Sequence, residues 1–530
     1  MIFIKSMAQT IKTHWLFLLI LAVGIFARTW NFGKLPPGLN PDEASIGVEA
    51  YYLYKFGLDR NGISYPIHLI SWGSGQNALY AYLIIPFIAL RGLGVDSIRL
   101  PMMLTGILSL PLAYFVGRQL LGTKFALVIM FFMAISPWHI VNSRWAVESN
   151  IFPFIFLIGF VCFLKAGYDG RWFIPAFICL ALSLYSYGTA YIAIPVFITL
   201  SLPAIILLKK IKTNYVVLGL LFFFLISLPI ALFIIVNTFN LRSINMGVFT
   251  IPRLPVEARY QSLAAVYEND PINAIANNLK IMFDLLWKQE DDFVWNFVKP
   301  FGYFYKLTFP LIVIGFFYLI ISFKNLKEIS FEHWLLFSWI ISSVAIGIIH
   351  PVNLTRINLI FTPALFCLAI CLFEFNKRNK YILPIALLSL SAGFIFFTQA
   401  YQGENYQRRA AEAFNAGIIP AIVYASENRN SVICITEQTR FAYIYALYVA
   451  KPHPSEYLDS IEWLLPSAHP LDPSRTPRAL GVFRFKISDC SEDPYAVYVL
   501  KLKEIPPNLN INYKTKKILK YQIFLPKILP

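Results

Sequence analysis

Eleven stretches of this chain are apolar over close to the ~20 residues that a helix needs to cross a bilayer. They lie at roughly residues 14–30, 100–118, 125–141, 151–165, 172–187, 191–208, 215–236, 303–323, 334–349, 357–373 and 381–399. Backbone groups in lipid find no water to bond, so such stretches fold as helices that satisfy their own amides. The sequence therefore specifies a polytopic helical bundle, and its 57 % hydrophobic residues exceed the ~45–50 % of soluble domains. A net charge of +16 would raise nucleic acid as a partner for a soluble chain. No basic, aromatic-interleaved domain accompanies it, so the excess belongs to loops facing anionic lipid.

Residues 79–93 are also apolar but contain Pro86 and Arg91. If they do not cross, the basic boundaries Arg118/Lys124, Lys165/Arg171, Lys209/Lys210/Lys212, Lys324/Lys327 and Lys377/Arg378/Lys380 all share one side with Lys5 and Lys12. That is the side positive residues favour, so 79–93 reads as an interfacial helix. The expected fold is an all-α membrane bundle of about eleven transmembrane helices, N-terminus in and C-terminus out, with interfacial helices in the first outer loop and a small C-terminal α/β soluble domain. The first segment reads as a retained anchor ending in Arg28-Thr29-Trp30, because no small-residue cleavage site follows it.

Two long outer loops result, 31–99 and 237–302, with a tail from about 400. The expected domains are 1–400 for the membrane part and 401–530 for an extracytoplasmic part. The tail carries strand-like runs at 431–436, 481–485 and 496–502, a helix-like run at 440–450, and Pro-rich connectors at 452–454 and 466–477. Cys162, Cys179, Cys367 and Cys371 sit in apolar segments and read as small hydrophobes. Whether Cys434 and Cys490 pair is open.

Acids are scarce in such a chain, which singles out Gly38-Leu39-Asn40-Pro41-Asp42-Glu43-Ala44-Ser45. Asn40 suits an N-cap and Pro41 the first helical position, placing Asp42 and Glu43 in a first turn that favours negative charge. The pair is either an ordinary helix start or a site. The next outer loop, 136–150, is dense in polar residues, with Arg144 and Glu148 at i, i+4 spacing, able to pair with each other or to serve a site. His350 and Arg356 stand at the outer ends of two spans, as anchors or as a phosphate clamp. Tyr185, Tyr187, Lys299, Tyr303, Tyr305 and Lys306 read first as interfacial residues. Acids, an arginine and a long outer loop at one leaflet suit transfer of a group from a lipid phosphate. A carboxylate would take the acceptor's proton, and Arg and Tyr would hold the phosphate. No phosphate-binding glycine loop or nucleophile elbow points to nucleotide or acyl chemistry.

The pieces L-P-P-G-L-N-P-D-E-A-S-I-G-V-E-A-Y (35–51), S-W-G-S-G-Q-N-A-L-Y-A-Y-L (71–83), S-I-R-L-P (97–101) and S-P-W-H-I-V-N-S-R-W-A-V-E (136–148) resemble the GT-C integral-membrane glycosyltransferases. The resemblance is to bacterial relatives of the protein O-mannosyltransferases and of the lipid A aminoarabinose transferase. It implies that Asp42 is the catalytic base or acceptor-site acid, Glu43 its partner and Glu148 the second-loop acid. Arg144 and Arg356 would be candidates for contacting phosphate or acids, and beside what the resemblance implies, His350, Tyr185, Tyr187, Tyr303, Tyr305 and Gln76 are the candidate substrate-binding residues. It further implies a polyprenyl-phosphate sugar donor, inversion at the anomeric carbon, a hydroxyl acceptor on a glycan, lipid or protein, and a place in the cell membrane with the active site extracytoplasmic. Where many relatives carry an acidic-Lys-Pro-Pro run, this chain has Gly75-Gln76-Asn77-Ala78. A phosphate-binding lysine and an acidic metal ligand are thus missing, no cofactor is assigned, and a divalent ion is left open. Two other classes fit a chain of this kind, a flippase for lipid-linked sugars and a non-catalytic assembly subunit. The acids at one surface and the lack of a half-repeat argue against the flippase.

Overall fold

The computed structural model describes residues 2–209, 213–258, 270–290, 293–323, 330–427, 432–464, 477–491, 493–505, 509 and 513–527. In chain order the elements begin α1 (Ile2–Thr29), α2 (Pro41–Phe56), β1 (His68–Leu69), β2 (Gln76–Asn77), α3 (Leu79–Arg91), α4 (Val95–Ile135), α5 (Pro137–Asn142) and α6 (Glu148–Ala166). They continue with α7 (Phe173–Ser183), α8 (Ala190–Lys209), α9 (Thr213–Thr238), β3 (Ile244–Asn245) and β4 (Thr250–Ile251). Further apolar helices span Phe309–Ile321, Phe331–Ile349, Phe361–Arg378 and Ile382–Gln402. Each of the eleven apolar segments is thus largely helical. By length and composition, six of the described helices can cross a membrane, and shorter apolar helices occupy the other expected segments.

Three departures have local causes. The second and third segments form one element, broken at Leu121–Gly122, where Gly122 takes the left-handed φ of 81°. The third segment stops at Ile135 because Ser136 is extended before Pro137, which starts α5. The segment expected from 303 becomes helical only at Phe309, since Tyr305 has a positive φ of 71°. An additional helix, Pro271–Lys288, capped by Asp270, runs within the residues read as the second long loop. Lys210, Lys212, Lys324, Lys327 and the connector at 466–476 lie outside the described residues.

By contacts the chain divides into two compact units. The first comprises Met1–Phe32, Pro101–Ile234 and Arg259–Tyr406. Its interior is aromatic: the fully buried Trp339 lies 4.9 Å from Phe156 and 4.8 Å from Phe160, ring centre to ring centre. Helices Phe309–Ile321 and Phe361–Arg378 meet backbone to backbone at Gly315, where a Cβ would fall 1.8 Å from the Cys367 carbonyl oxygen. Small residues allow this approach in membrane helices. Arg28, expected as an interfacial anchor, is instead fully buried. Its guanidinium donates to the carbonyls of Gly24 (2.8 Å), Met133 (3.0 Å) and Ala134 (3.1 Å) and meets His139 Nδ1 at 2.5 Å.

The second unit comprises Gly33–Leu100, Ile235–Ala258 and Gln407–Pro530. Its centre is a seven-stranded mixed sheet in the order β10-β11-β9-β5-β8-β7-β6. The strands are β5 (Ile433–Ile435), β6 (Ile461–Trp463), β7 (Pro477–Leu480), β8 (Phe483–Arg484), β9 (Val497–Lys501), β10 (Tyr513–Ile518) and β11 (Tyr521–Pro526). Strand β5 runs parallel to both β8 and β9, and the other pairings are antiparallel. The three strand-like runs of the tail appear as β5, β8 and β9, and the helix-like run as Ala442–Ala450. Cys434 and Cys490 are joined by a disulfide and packed with Tyr498, Leu500 and Phe524. Helix Ala442–Ala450 packs on α2, and the Tyr445 hydroxyl donates to the Leu39 carbonyl at 2.9 Å. Gly38, at φ 82°, lies so close to Phe414 that a Cβ would stand 2.4 Å from its carbonyl oxygen.

Candidate active site

Helix α2 begins as its sequence dictates. Asn40 is extended and its side chain accepts the N–H of Asp42 at 3.0 Å, with Pro41 in the first turn. Glu43 reaches back to accept the Asn40 N–H at 3.1 Å. This is the reciprocal cap that satisfies two otherwise orphaned donors. The same carboxylate is fully buried and held by Arg99, Nε to Oε1 and Nη2 to Oε2, both at 2.7 Å. Arg99 also donates to the carbonyls of Pro36 (2.6 Å) and Gly38 (2.8 Å). One guanidinium therefore fixes the segment entering the helix and the glutamate inside it. Glu43 is engaged on both oxygens, which makes it a positioning group for its neighbour.

Asp42 is partly exposed. Its Oδ1 accepts the Trp72 indole N–H at 2.8 Å, and among the described residues its Oδ2 accepts nothing. One oxygen orients the carboxylate and the other remains able to take a proton. Trp72 stacks on Phe441, with centroids 4.2 Å apart, and the Arg60 guanidinium lies 5.2 Å from the Trp72 ring. Arg60 pairs with Glu49 at 3.2 Å and donates to Ser45 Oγ (2.8 Å) and the Ser71 carbonyl (2.6 Å). The Ser71 hydroxyl donates to Gln76 Oε1 at 3.0 Å, so the predicted Gln76 joins this network. Asp59 Oδ1 accepts the N–H groups of Asn61 and Ile63, each at 2.8 Å. Burial, then the Glu49 charge, pushes the Asp59 carboxyl up to about 7. Burial likewise raises Glu49.

The remaining predicted residues lie in the first unit. Arg144 is fully buried and donates to the carbonyls of Ala27 (3.2 Å), Arg28 (2.9 Å) and Trp30 (2.7 Å). It thereby caps the end of α1. Glu148 opens α6 and is buried. The polar density around them is in large part an interlock centred on Asn358. Asn358 Oδ1 accepts from Trp138 (2.6 Å) and Asn142 (3.1 Å), and its Nδ2 donates to the Ser149 carbonyl (3.2 Å) and Asn150 (3.3 Å). His350 is buried. Arg356 is partly exposed, and its Nη1 donates to the Pro351 carbonyl at 2.7 Å. The Tyr185 hydroxyl donates to Ile226 O at 2.6 Å, whereas Tyr187 is partly exposed. Tyr303 is buried against Phe361. Tyr305 donates to Ile135 O at 2.8 Å and, with Phe301, Leu311, Leu368 and Leu390, lines an apolar cavity of about 350 Å³ that includes Lys306. Lys306 pairs with Glu290. Among the described residues no three His, Cys, Asp or Glu side chains are grouped to hold a metal ion.

Arg99, Trp72 and Arg60 were not anticipated as site residues. Arg99 did carry a signal, a lone arginine in Ser-Ile-Arg-Leu-Pro at the mouth of an apolar run. Trp72 lies in the 71–83 piece, but nothing local in the sequence pairs it or Arg60 with their partners, which are 30 and 11 residues away.

Residues 76–233, less than half of the chain, match the family described as dolichyl-phosphate-mannose-protein mannosyltransferase. No curated protein matches the sequence significantly. The structure is similar to that of ArnT from Cupriavidus metallidurans bound to undecaprenyl phosphate. The two share 13 % identity, with 97 % of this chain and 98 % of that chain covered and a TM-score of 0.56. The apo state of the same enzyme gives 12 %, 98 %, 98 % and 0.55. The archaeal oligosaccharyltransferase AglB from Archaeoglobus fulgidus, in complex with an inhibitory peptide and a dolichol-phosphate, is 14 % identical over 83 % of this chain, with a TM-score of 0.49. The chain spans only 64 % of that longer protein. Matched over nearly its whole length by ArnT, the chain has the GT-C fold of integral-membrane glycosyltransferases.

Proposed function

We propose that the protein is a membrane glycosyltransferase moving one sugar from a polyprenyl-phosphate donor to a hydroxyl acceptor, with inversion, on the extracytoplasmic side of the cell membrane. The observation that carries this reading is the Asp42 carboxylate, held through Oδ1 by Trp72 and open at Oδ2. In the reaction Oδ2 takes the acceptor hydroxyl proton as that oxygen bonds to the anomeric carbon. The bond from carbon to the phosphate oxygen breaks on the opposite face, and polyprenyl phosphate leaves with the electron pair. A positioned base is worth ~10²–10⁴-fold. Glu43 and Arg99 fix the turn that carries the base. Of the two predicted arginines, Arg356 suits a phosphate better, because Arg144 is committed to three carbonyls. The apolar cavity beside Tyr305 and Lys306 has the chemistry to take an isoprenoid segment. No step is assigned to a metal ion.

The test uses purified full-length protein with radiolabelled polyprenyl-phosphate sugars. Asp42→Asn keeps the oxygen that accepts from Trp72, so the fold persists while label transfer falls at least a hundredfold. Wild-type transfer by this variant, or translocation of label across a vesicle without its release from lipid, overturns the proposal. The latter result marks a flippase.

A further inference from the structure

In the second unit, on the network that carries Asp42, lies a cavity of about 250 Å³. Trp72, Tyr443, Tyr457 and Trp463 line it, together with Asn61 and Arg60. Phe441 also lines it and stacks on Trp72 (4.2 Å, 25°), whereas Tyr443 meets its neighbours at steep angles. Tyr443 is edge-on to Trp72 (6.2 Å, 90°) and to Trp463 (5.7 Å, 78°). One face of Trp72 is therefore covered, and the rest of the pocket is walled by the faces and edges of Tyr443, Tyr457 and Trp463.

Its electrostatics select the ligand. No carboxylate lines the cavity, and the Arg60 guanidinium already lies 5.2 Å from the Trp72 ring, so a second cation would meet like charge with no counter-charge. Arg60 is no anion clamp, because its charge is paired with Glu49 and its nitrogens already serve Glu49, Ser45 and Ser71. A purely apolar ligand would leave the Asn61 amide nitrogen, which is buried and lacks an acceptor, still unpaired, at a cost. What remains is a neutral ligand with apolar C–H faces and a rim of hydroxyls. Aromatic faces attract the positive edges of C–H bonds, and tyrosine and asparagine meet the hydroxyls. The volume lies below the ~300–1,000 Å³ of drug-sized sites, which suits one ring better than a chain.

The geometry points to this cavity as an acceptor subsite for a neutral sugar ring, seated among Tyr443, Tyr457 and Trp463, with Trp72, the residue that bonds Asp42, in its wall. The inference rests on the transferase reading and deepens it: the acceptor is a glycan or glycoconjugate whose neutral ring is gripped beside the hydroxyl that reacts. Trp72 serves both parts, because the indole that walls the cavity is the one that orients Asp42.

Saturation-transfer NMR tests this with full-length protein in detergent and millimolar methyl glycosides of mannose, glucose and galactose. Glucosamine serves as a cationic control and cyclohexanol as an apolar one. At least one neutral glycoside binds wild type and Asp42→Asn alike. Trp463→Ala weakens that binding tenfold or more, whereas Trp463→Phe retains most of it, which separates lost stacking from lost folding. Binding that is absent for every neutral glycoside, or unchanged in Trp463→Ala, or strongest for either control, overturns the proposal. Because binding is read in a variant without the base, its failure is distinguishable from failure of the transferase reading, which the label-transfer assay tests separately.

Discussion

Replacing Arg99 by methionine removes a guanidinium that makes four hydrogen bonds inside the second unit. Glu43 would be left fully buried with its charge uncompensated. Breaking one half of a buried ion pair in this way costs about 3–5 kcal/mol. The double variant Glu43→Gln/Arg99→Met removes the charge as well. The remaining loss should then come from the Pro36 and Gly38 carbonyls, about 1–3 kcal/mol in all. Hydrogen exchange of the full-length protein reads both, with amides in the segment 38–53 as reporters. At ~1.4 kcal/mol per tenfold, Arg99→Met should speed their exchange by two to three orders of magnitude, and the double variant should recover about half of that on a logarithmic scale. The variant should also lose transfer, since the turn carrying Asp42 is no longer fixed. Wild-type exchange rates in Arg99→Met, or a double variant less protected than the single one, would refute this account of the pair.

Asp59 provides a pH test. Its folded carboxyl titrates at about 7 against an ordinary value of 3.8. Its contribution is therefore fully present below about pH 4 and is lost as pH rises through 7, by up to ~4 kcal/mol. Thermal melts of the full chain should show the second unit weakening over that window, and Asp59→Asn should flatten the dependence. An unchanged slope in that variant would assign the dependence to other groups. The disulfide closes a loop with a sequence separation of 56 residues. Cys434→Ser/Cys490→Ser should therefore cost ~2–4 kcal/mol, read as a lower melting temperature of the sheet unit, while the first unit's protection from exchange stays as it was.

The membrane part was legible because lipid leaves the chain one way to satisfy its amides, so hydropathy alone located the apolar helices, though not all of their ends. The start of α2 was equally legible, since Asn40, Pro41 and Glu43 act on neighbours at one to three positions. Long-range side-chain chemistry was not. Polar density in 136–150 signals demand for hydrogen bonds but not who meets it. Here Asn358, more than two hundred residues away, meets much of it. Arg28 looked like an anchor because sequence gives depth along a helix but not which face is covered. Strands β6 and β7 are short and β10 is an edge, and the alternation of these and of β11 is weak in a Lys-rich, Pro-interrupted tail. That 33–100 folds in one unit with the tail has no local signature, because Tyr445 meets Leu39 and Phe414 meets Gly38 across some four hundred residues of chain.

Those two contacts bear on how such proteins can diverge. A graft that exchanged everything after residue 406 for the tail of a cousin would replace the partners of Leu39 and Gly38 together with the sheet, and the aspartate would inherit a foreign backrest. The segment before α2 and the far end of the chain are therefore obliged to change in concert, and recombination between relatives should succeed when both travel together and fail when either travels alone.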